Sequence, residues 1–180
     1  FKPMNVLVSN GQTLANSGGK FGLSFFDEAC VLSYDNQVKY PDHVSGYPCL
    51  VKDGKKAYTV VPAGLEGRRG RSAIGYGTHA LVLRAVSDGP DAMTLDQLWQ
   101  DMRKLGCTNA INLDGGGSAQ CDFAGKRITS KRIVHNFICV WLKDGGTTKV
   151  VTAGTGLNIR QNPPNWLGVN SSEVVGCYAA

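Results

Sequence analysis

The residues with chemistry to offer gather in Asn112-Leu113-Asp114-Gly115-Gly116-Gly117-Ser118, where a short apolar strand delivers a carboxylate into three consecutive glycines. Lacking Cβ atoms, Gly115, Gly116 and Gly117 are free to adopt positive φ and to turn N–H groups toward a ligand. Period-two alternation puts Ile111 and Leu113 on one face and Asn112 and Asp114 on the other, so the two polar side chains can act on one bound group. The plain alternative is an Asx turn, in which Asp114 only bonds its own backbone.

Other reactive side chains give weaker signals. The spacing of His43, His79 and His135 matches no metal signature. His135 alternates with Ile133, Phe137, Cys139 and Trp141, the pattern of packing against an apolar layer, and His79 falls in a turn at the rim of the Gly75-Tyr76-Gly77-Thr78 segment. Six cysteines, none in a Cys-x-x-Cys pair, argue against zinc; Cys107 and Cys121 flank the glycine motif, but spacing selects no disulfide pairing.

The elements that must position Asp114 can be read outward from it. Thr94-Leu95-Asp96-Gln97 has the form of a capping box and opens an apolar face of Leu95, Leu98, Trp99, Met102 and Leu105. Arg103 and Lys104 suit the last turn and Gly106 suits a left-handed C′ position, which predicts a helix over 95–105 feeding a strand that ends at Asp114. Strands are expected at 5–9, 23–26, 29–34, 47–52, 56–61, 71–76, 80–86, 110–113, 120–123 and 133–142. The Asp53-Gly54 pair signals a two-residue hairpin, and 75–78 signals a second reversal. The fold class is therefore α+β, a mixed but largely antiparallel sheet with few helices.

These residues resemble the phosphodiester glycosidase family. The resemblance is carried by Asn-Leu-Asp-Gly-Gly-Gly-Ser and, in the same order along the chain, by Gly22-Leu23-Ser24-Phe25-Phe26-Asp27, Arg71-Ser72-Ala73-Ile74-Gly75 and Arg132-Ile133-Val134-His135-Asn136. Together these cover roughly residues 20 to 142. At the first piece the family commonly has Asn-Gly before the phenylalanines, and this chain has Leu23 and Ser24. The resemblance implies hydrolysis of a sugar-1-phosphodiester such as N-acetylglucosamine-1-phosphodiester, with Asp114, Arg71 and Arg132 catalytic. Asn112, Gly115, Gly116, Gly117, Ser118 and Asn136 would bind substrate.

The residue types suit that reaction. A phosphodiester is a weakly basic leaving group, so its departure from an anomeric carbon needs little general-acid help and one carboxylate can suffice. An arginine fork matches phosphate oxygens and neutralises charge on the departing group, whereas an ordinary strand arginine simply faces solvent. Arg68 and Arg69 read as a solvated loop or a rim that attracts anions. A carboxylate beside a phosphate is also a hard-cation site, so a divalent ion is a candidate cofactor, with no metal ligands assigned.

Composition bounds the rest. The 180 residues suit one ordinary domain with an appended piece, and the +5 charge suits an anionic substrate without supporting nucleic-acid binding. No apolar run has transmembrane length. Residues 1–145 form the expected catalytic domain. After Lys143-Asp144-Gly145-Gly146, residues 146–180 read as a C-terminal extension in which 151–176 resemble the first half of a bacterial SH3-like wall-binding module. That resemblance implies a bacterial or phage protein, secreted or cell-wall-directed, with a sugar-phosphate or wall glycan as partner. Two competing classes are a noncatalytic module gripping phosphate-containing wall polymers and a nucleotide-binding protein. The latter lacks the Lys-Ser or Lys-Thr that should follow the glycines.

Overall fold

A computed structural model describes residues 5–26, 29–35, 37–78, 81–123, 126–130, 132–134, 137–142, 148–153 and 178–179. Among them one α-helix forms, α1 (Leu95–Lys104), and both ends follow from local sequence. At its start the Thr94 hydroxyl accepts from the Gln97 amide while the Gln97 side chain accepts from the Thr94 amide, closing the expected capping box. At its end Gly106 takes φ +87°. The Gly106 amide bonds to Arg103 O and the Cys107 amide to Met102 O, which is a Schellman motif.

The helix covers one face of a six-stranded sheet ordered β15 (Tyr178–Ala179), β9 (Leu81–Val86), β8 (Arg71–Tyr76), β10 (Asn109–Asn112), β6 (Cys49–Lys52) and β7 (Lys55–Lys56). Leu95, Leu98 and Met102 of the helix pack there on Leu50, Val51, Ala73, Val82 and Ala110. On the other face a second sheet packs, ordered β2 (Gln12–Asn16), β1 (Val6–Ser9), β5 (Asp42–Gly46), β3 (Phe21–Phe26) and β4 (Ala29–Tyr34). Its Leu23 and Phe25 meet Cys49, Ile74, Leu83 and Ile111. The layers are thus sheet, sheet and helix, with the alternating residues of β8 and β10 feeding two separate cores. Two short hairpins, β11 (Cys121–Phe123) with β12 (Lys126–Ile128) and β13 (Phe137–Leu142) with β14 (Thr148–Ala153), complete the described elements.

Among the described residues all strand pairings are antiparallel except β15 with β9, in agreement with the expected largely antiparallel α+β class. The Asp53-Gly54 hairpin forms with φ of +49° and +76° at its two central residues, the signature of a type I′ turn. The strand expected over 56–61 does not form beyond Lys56. Lys56 makes an ion pair of 2.7 Å with Asp96, and the Tyr58 hydroxyl donates to the same carboxylate at 2.7 Å, so the chain leaves the sheet to cross the helix N-terminus. Sequence reading also passed over β2, β5 and β12, whose residues are largely polar.

Beyond the expected domain boundary, β14 pairs residue for residue with β13, from Phe137 with Ala153 to Leu142 with Thr148. Most of the segment that resembles an SH3-like module lies outside the described residues, as do His79, His135 and Asn136. Cys30, Cys49 and Cys107 are free thiols, and burial pushes each up to about 12. No helix among the described residues is long and apolar enough to cross a membrane.

Candidate active site at the carboxyl ends of two strands

Strands β9 and β10 lie on either side of β8 and both run antiparallel to it. Their carboxyl ends therefore open at the same edge of the sheet and bracket the amino end of β8. Each is followed by the same small unit: Ser87-Asp88-Gly89 after β9, Leu113-Asp114-Gly115 after β10. Leu113 still bonds to Ser72 O at 2.8 Å, which keeps Asp114 at the sheet edge, and Leu113 packs in the same core as Ile111, as alternation requires.

Asp114 is exposed, and its Oδ1 accepts the Gly115 amide at 2.9 Å. Among the described residues its other oxygen has no partner and stands ready for a ligand. Asn112, two residues earlier, is buried. Its side-chain amide donates to Tyr47 O at 2.8 Å, while its Oδ1 is buried with no hydrogen-bond partner among the described residues. Asn112 thus braces Tyr47 from inside the protein and does not share the exposed position of Asp114.

The glycine loop departs from the expected open cradle. Only Gly116 takes positive φ, at +57°, and Gly116–Ser118 winds into a short 3-10 turn. Four loop amides are used within the protein: Gly115 on Asp114 Oδ1, Gly116 on Gly70 O at 2.7 Å, Ser118 on Gly115 O and Ala119 on Gly116 O. The Gly117 N–H is the loop amide left without a partner among the described residues. Glycine is needed at 115 for a different reason, since a Cβ there would lie 2.6 Å from Gly70 O.

Arg132 reaches this loop. Its Nη1 donates to Ser118 Oγ at 3.1 Å, and its Nε lies 3.6 Å from where a Cβ on Gly117 would stand. Gln120 holds the Arg132 carbonyl at 2.8 Å and Ser130 Oγ accepts the Arg132 amide at 3.1 Å. The exposed Arg132 guanidinium and the Ser118 hydroxyl thus meet on the glycine turn that follows Asp114 and carries the Gly117 amide.

Arg71 does not join Arg132 there. Its side chain is 1% exposed, with Nε on Met93 O at 3.0 Å and Nη2 on Leu65 O and Gly67 O at 2.9 and 3.0 Å. Burial, and after it the neighbouring Arg69 charge, lowers its pKa. Arg69 likewise differs from a solvated rim residue: it is half-buried and donates to Gly64 O and Glu66 O. Both arginines tie down the 62–70 loop, whose last residue, Gly70, supports the glycine turn. Arg68 is exposed, as a rim residue should be.

Asp88, which the sequence does not single out, also reaches the glycine turn. Its Oδ1 accepts the Gly70 amide at 2.7 Å, and its Oδ2 is 4.0 Å from where a Cβ on Gly116 would stand. The available signal was the repeated strand-x-Asp-Gly junction, which acquires meaning only once β9 and β10 are known to flank β8. Among the described residues, no group of three or more His, Cys, Asp or Glu side chains is arranged to hold a metal ion.

Comparisons with known proteins agree with this architecture. The model of the phosphodiester glycosidase family matches residues 2–141. Among solved structures the chain resembles the catalytic domain of zebrafish N-acetylglucosamine-1-phosphodiester alpha-N-acetylglucosaminidase, auto-inhibited by its pro-peptide. That match has 19% identity and a TM-score of 0.59, covering 86% of this chain and 59% of that one. A hypothetical protein from Synechocystis matches with 19% identity and a TM-score of 0.41, over 69% of this chain and 30% of that one. The chain thus spans less than two thirds of the length of either, and no curated protein matches it. With more than half of its residues matched by the family's model, the chain belongs to the phosphodiester glycosidase family.

Proposed function

We propose that this protein hydrolyses the glycosidic bond of a sugar-1-phosphodiester, of which N-acetylglucosamine-1-phosphodiester is the first to try. The single observation that supports the proposal is that an exposed carboxylate, Asp114, leads into a glycine turn on which Arg132 bonds to Ser118 Oγ, groups suited to an anion. Family membership supports it, and so does the activity named for the zebrafish enzyme.

In this reading the phosphate sits on that turn and the anomeric carbon faces Asp114. The bond from the anomeric carbon to the phosphate oxygen breaks, water supplies the new hydroxyl, and the products are free sugar and a phosphomonoester. Asp114 acts at the anomeric carbon, as nucleophile or as base toward water. Arg132 and the Gly117 amide stabilise negative charge gathering on the leaving phosphate. Asn112 supports the site from beneath, its buried side-chain amide held on Tyr47 O at the end of β10. Arg71 contributes from a distance, by fixing the loop that carries Gly70. Residues 1–145 form the catalytic unit and 146–180 a C-terminal extension joined through the β13–β14 hairpin; a secreted or wall-directed location belongs to the same proposal.

The test is to incubate the protein with N-acetylglucosamine linked to a phosphodiester, with and without a chelator, and measure free sugar. Asp114→Asn is expected to fold normally and to lose on the order of a thousandfold in kcat. Undiminished turnover by Asp114→Asn would remove the carboxylate from the mechanism. Salt-sensitive binding of a phosphate-containing polymer without any turnover would identify a noncatalytic binding module instead.

A further inference from the structure

We infer that Asp88 is a positioning residue for this site, holding Gly70 so that Gly70 in turn holds Gly116 and the open amide beyond it; the inference rests on the proposed hydrolysis. The contacts form a chain of two hydrogen bonds through one residue, Gly70. Asp88 Oδ1 accepts from Gly70 N at 2.7 Å, and Gly70 O accepts from Gly116 N at 2.7 Å. The fit leaves no slack on either side. A Cβ at Gly70 would lie 2.6 Å from Gly116 O and 3.0 Å from both the backbone N and the Cβ of Asp88, and a Cβ at Gly115 would lie 2.6 Å from Gly70 O.

Asp88 is exposed and lies outside the motif that carries the Asp114 carboxylate, yet it fixes the residue against which the glycine turn is built. Gly116 is held in a left-handed conformation, and the direction of the following Gly117 N–H depends on it. A carboxylate is well suited to the anchoring task, because a charged acceptor strengthens the bond to Gly70 N and so holds the residue whose carbonyl receives Gly116. Small displacements at such a distance from the reacting atoms can cost up to about a hundredfold in rate.

Three variants test the assignment by two independent readouts, amide hydrogen exchange and kinetics. Asp88→Ala is expected to speed exchange at the Gly70 and Gly116 amides at least tenfold and to lower kcat by roughly ten- to a hundredfold, with the melting temperature little changed. Asp88→Asn keeps an acceptor and should restore protection and most of the rate, with the wild-type pH profile. Gly70→Ala, which displaces the turn from its other side, should reproduce the kcat loss with Asp88 intact. If Asp88→Asn is as slow as Asp88→Ala and its pH profile shifts, the carboxylate takes part in proton transfer and the positioning role is overturned. Wild-type exchange and kcat in Asp88→Ala would overturn it as well. Should the wild-type protein release no sugar, the proposed hydrolysis fails, while the exchange measurement still decides whether Asp88 holds Gly70 and Gly116.

Discussion

Arg71 and Arg132 show how far residue type alone carries an inference. Both begin segments that resemble the family's strands, and both were expected at the leaving phosphate. One is buried on three carbonyl oxygens, and the other lies exposed against Ser118 and Gly117. Their substitutions should therefore separate. Arg71→Met orphans carbonyls in the 62–70 loop and should destabilise by on the order of 3 kcal/mol, roughly 10 °C in melting temperature. Arg132→Met should leave melting within about a degree, lower kcat on the phosphodiester about tenfold or more and raise its KM. Calorimetry and steady-state kinetics on the two variants check this, and a reversed pattern would exchange their roles. Asp114 and its glycines were legible because their signal is contiguous. Asp88 was not, because its partner Gly70 is 18 residues away and no local pattern joins them.

At the scale of elements, what was legible was what the local chain decides. The helix has its caps, its charged last turn and its apolar face within a dozen residues, and it formed with both capping bonds in place. The strand expected over 56–61 failed because contacts with Asp96, distant in sequence, outbid a β-prone local run. Strand β5 was missed for a related reason: its polar His43 is buried between neighbouring strands, where only pairing could put it. His43 Nδ1 lies 2.7 Å from Ser24 Oγ and Nε2 lies 3.3 Å from Ser45 Oγ, and burial lowers its pKa to about 4. The folded state thus binds the imidazole proton less readily than the unfolded chain. Above about 6.5 both states are neutral there and stability is unaffected; as pH falls from about 6.5 to about 4 the unfolded chain gains the proton first and stability drops, by on the order of 3 kcal/mol from this group. Melting curves across that range should show the loss in the wild-type protein and a shallower one in His43→Gln. Equal slopes would assign the acid sensitivity to other groups.

The whole molecule adds a field and a frame. The chain carries a net charge of +5, and the exposed Arg132 lies on the glycine turn where the substrate is proposed to bind. An anionic phosphodiester should bind less well as salt shortens the Debye length from about 30 Å at 0.01 M to about 10 Å at 0.1 M. KM should therefore rise severalfold over that span for the phosphodiester and stay flat for an uncharged aryl glycoside of the same sugar. Parallel responses would rule out electrostatic steering. The three-layer frame that carries this turn was legible as a class, since alternation and turn signals argue for antiparallel sheets. The order of the strands was not, because it depends on which strands meet across long loops. One feature of the frame bears on any attempt to map the site by mutagenesis. Where the main chains of residues 70 and 115 pass each other there is no room for even a methyl group, so a saturation library would lose nearly every replacement at both places. The resulting intolerance map would then outline the buttress of the site together with its reacting groups, and only measurements on purified variants would tell the two apart.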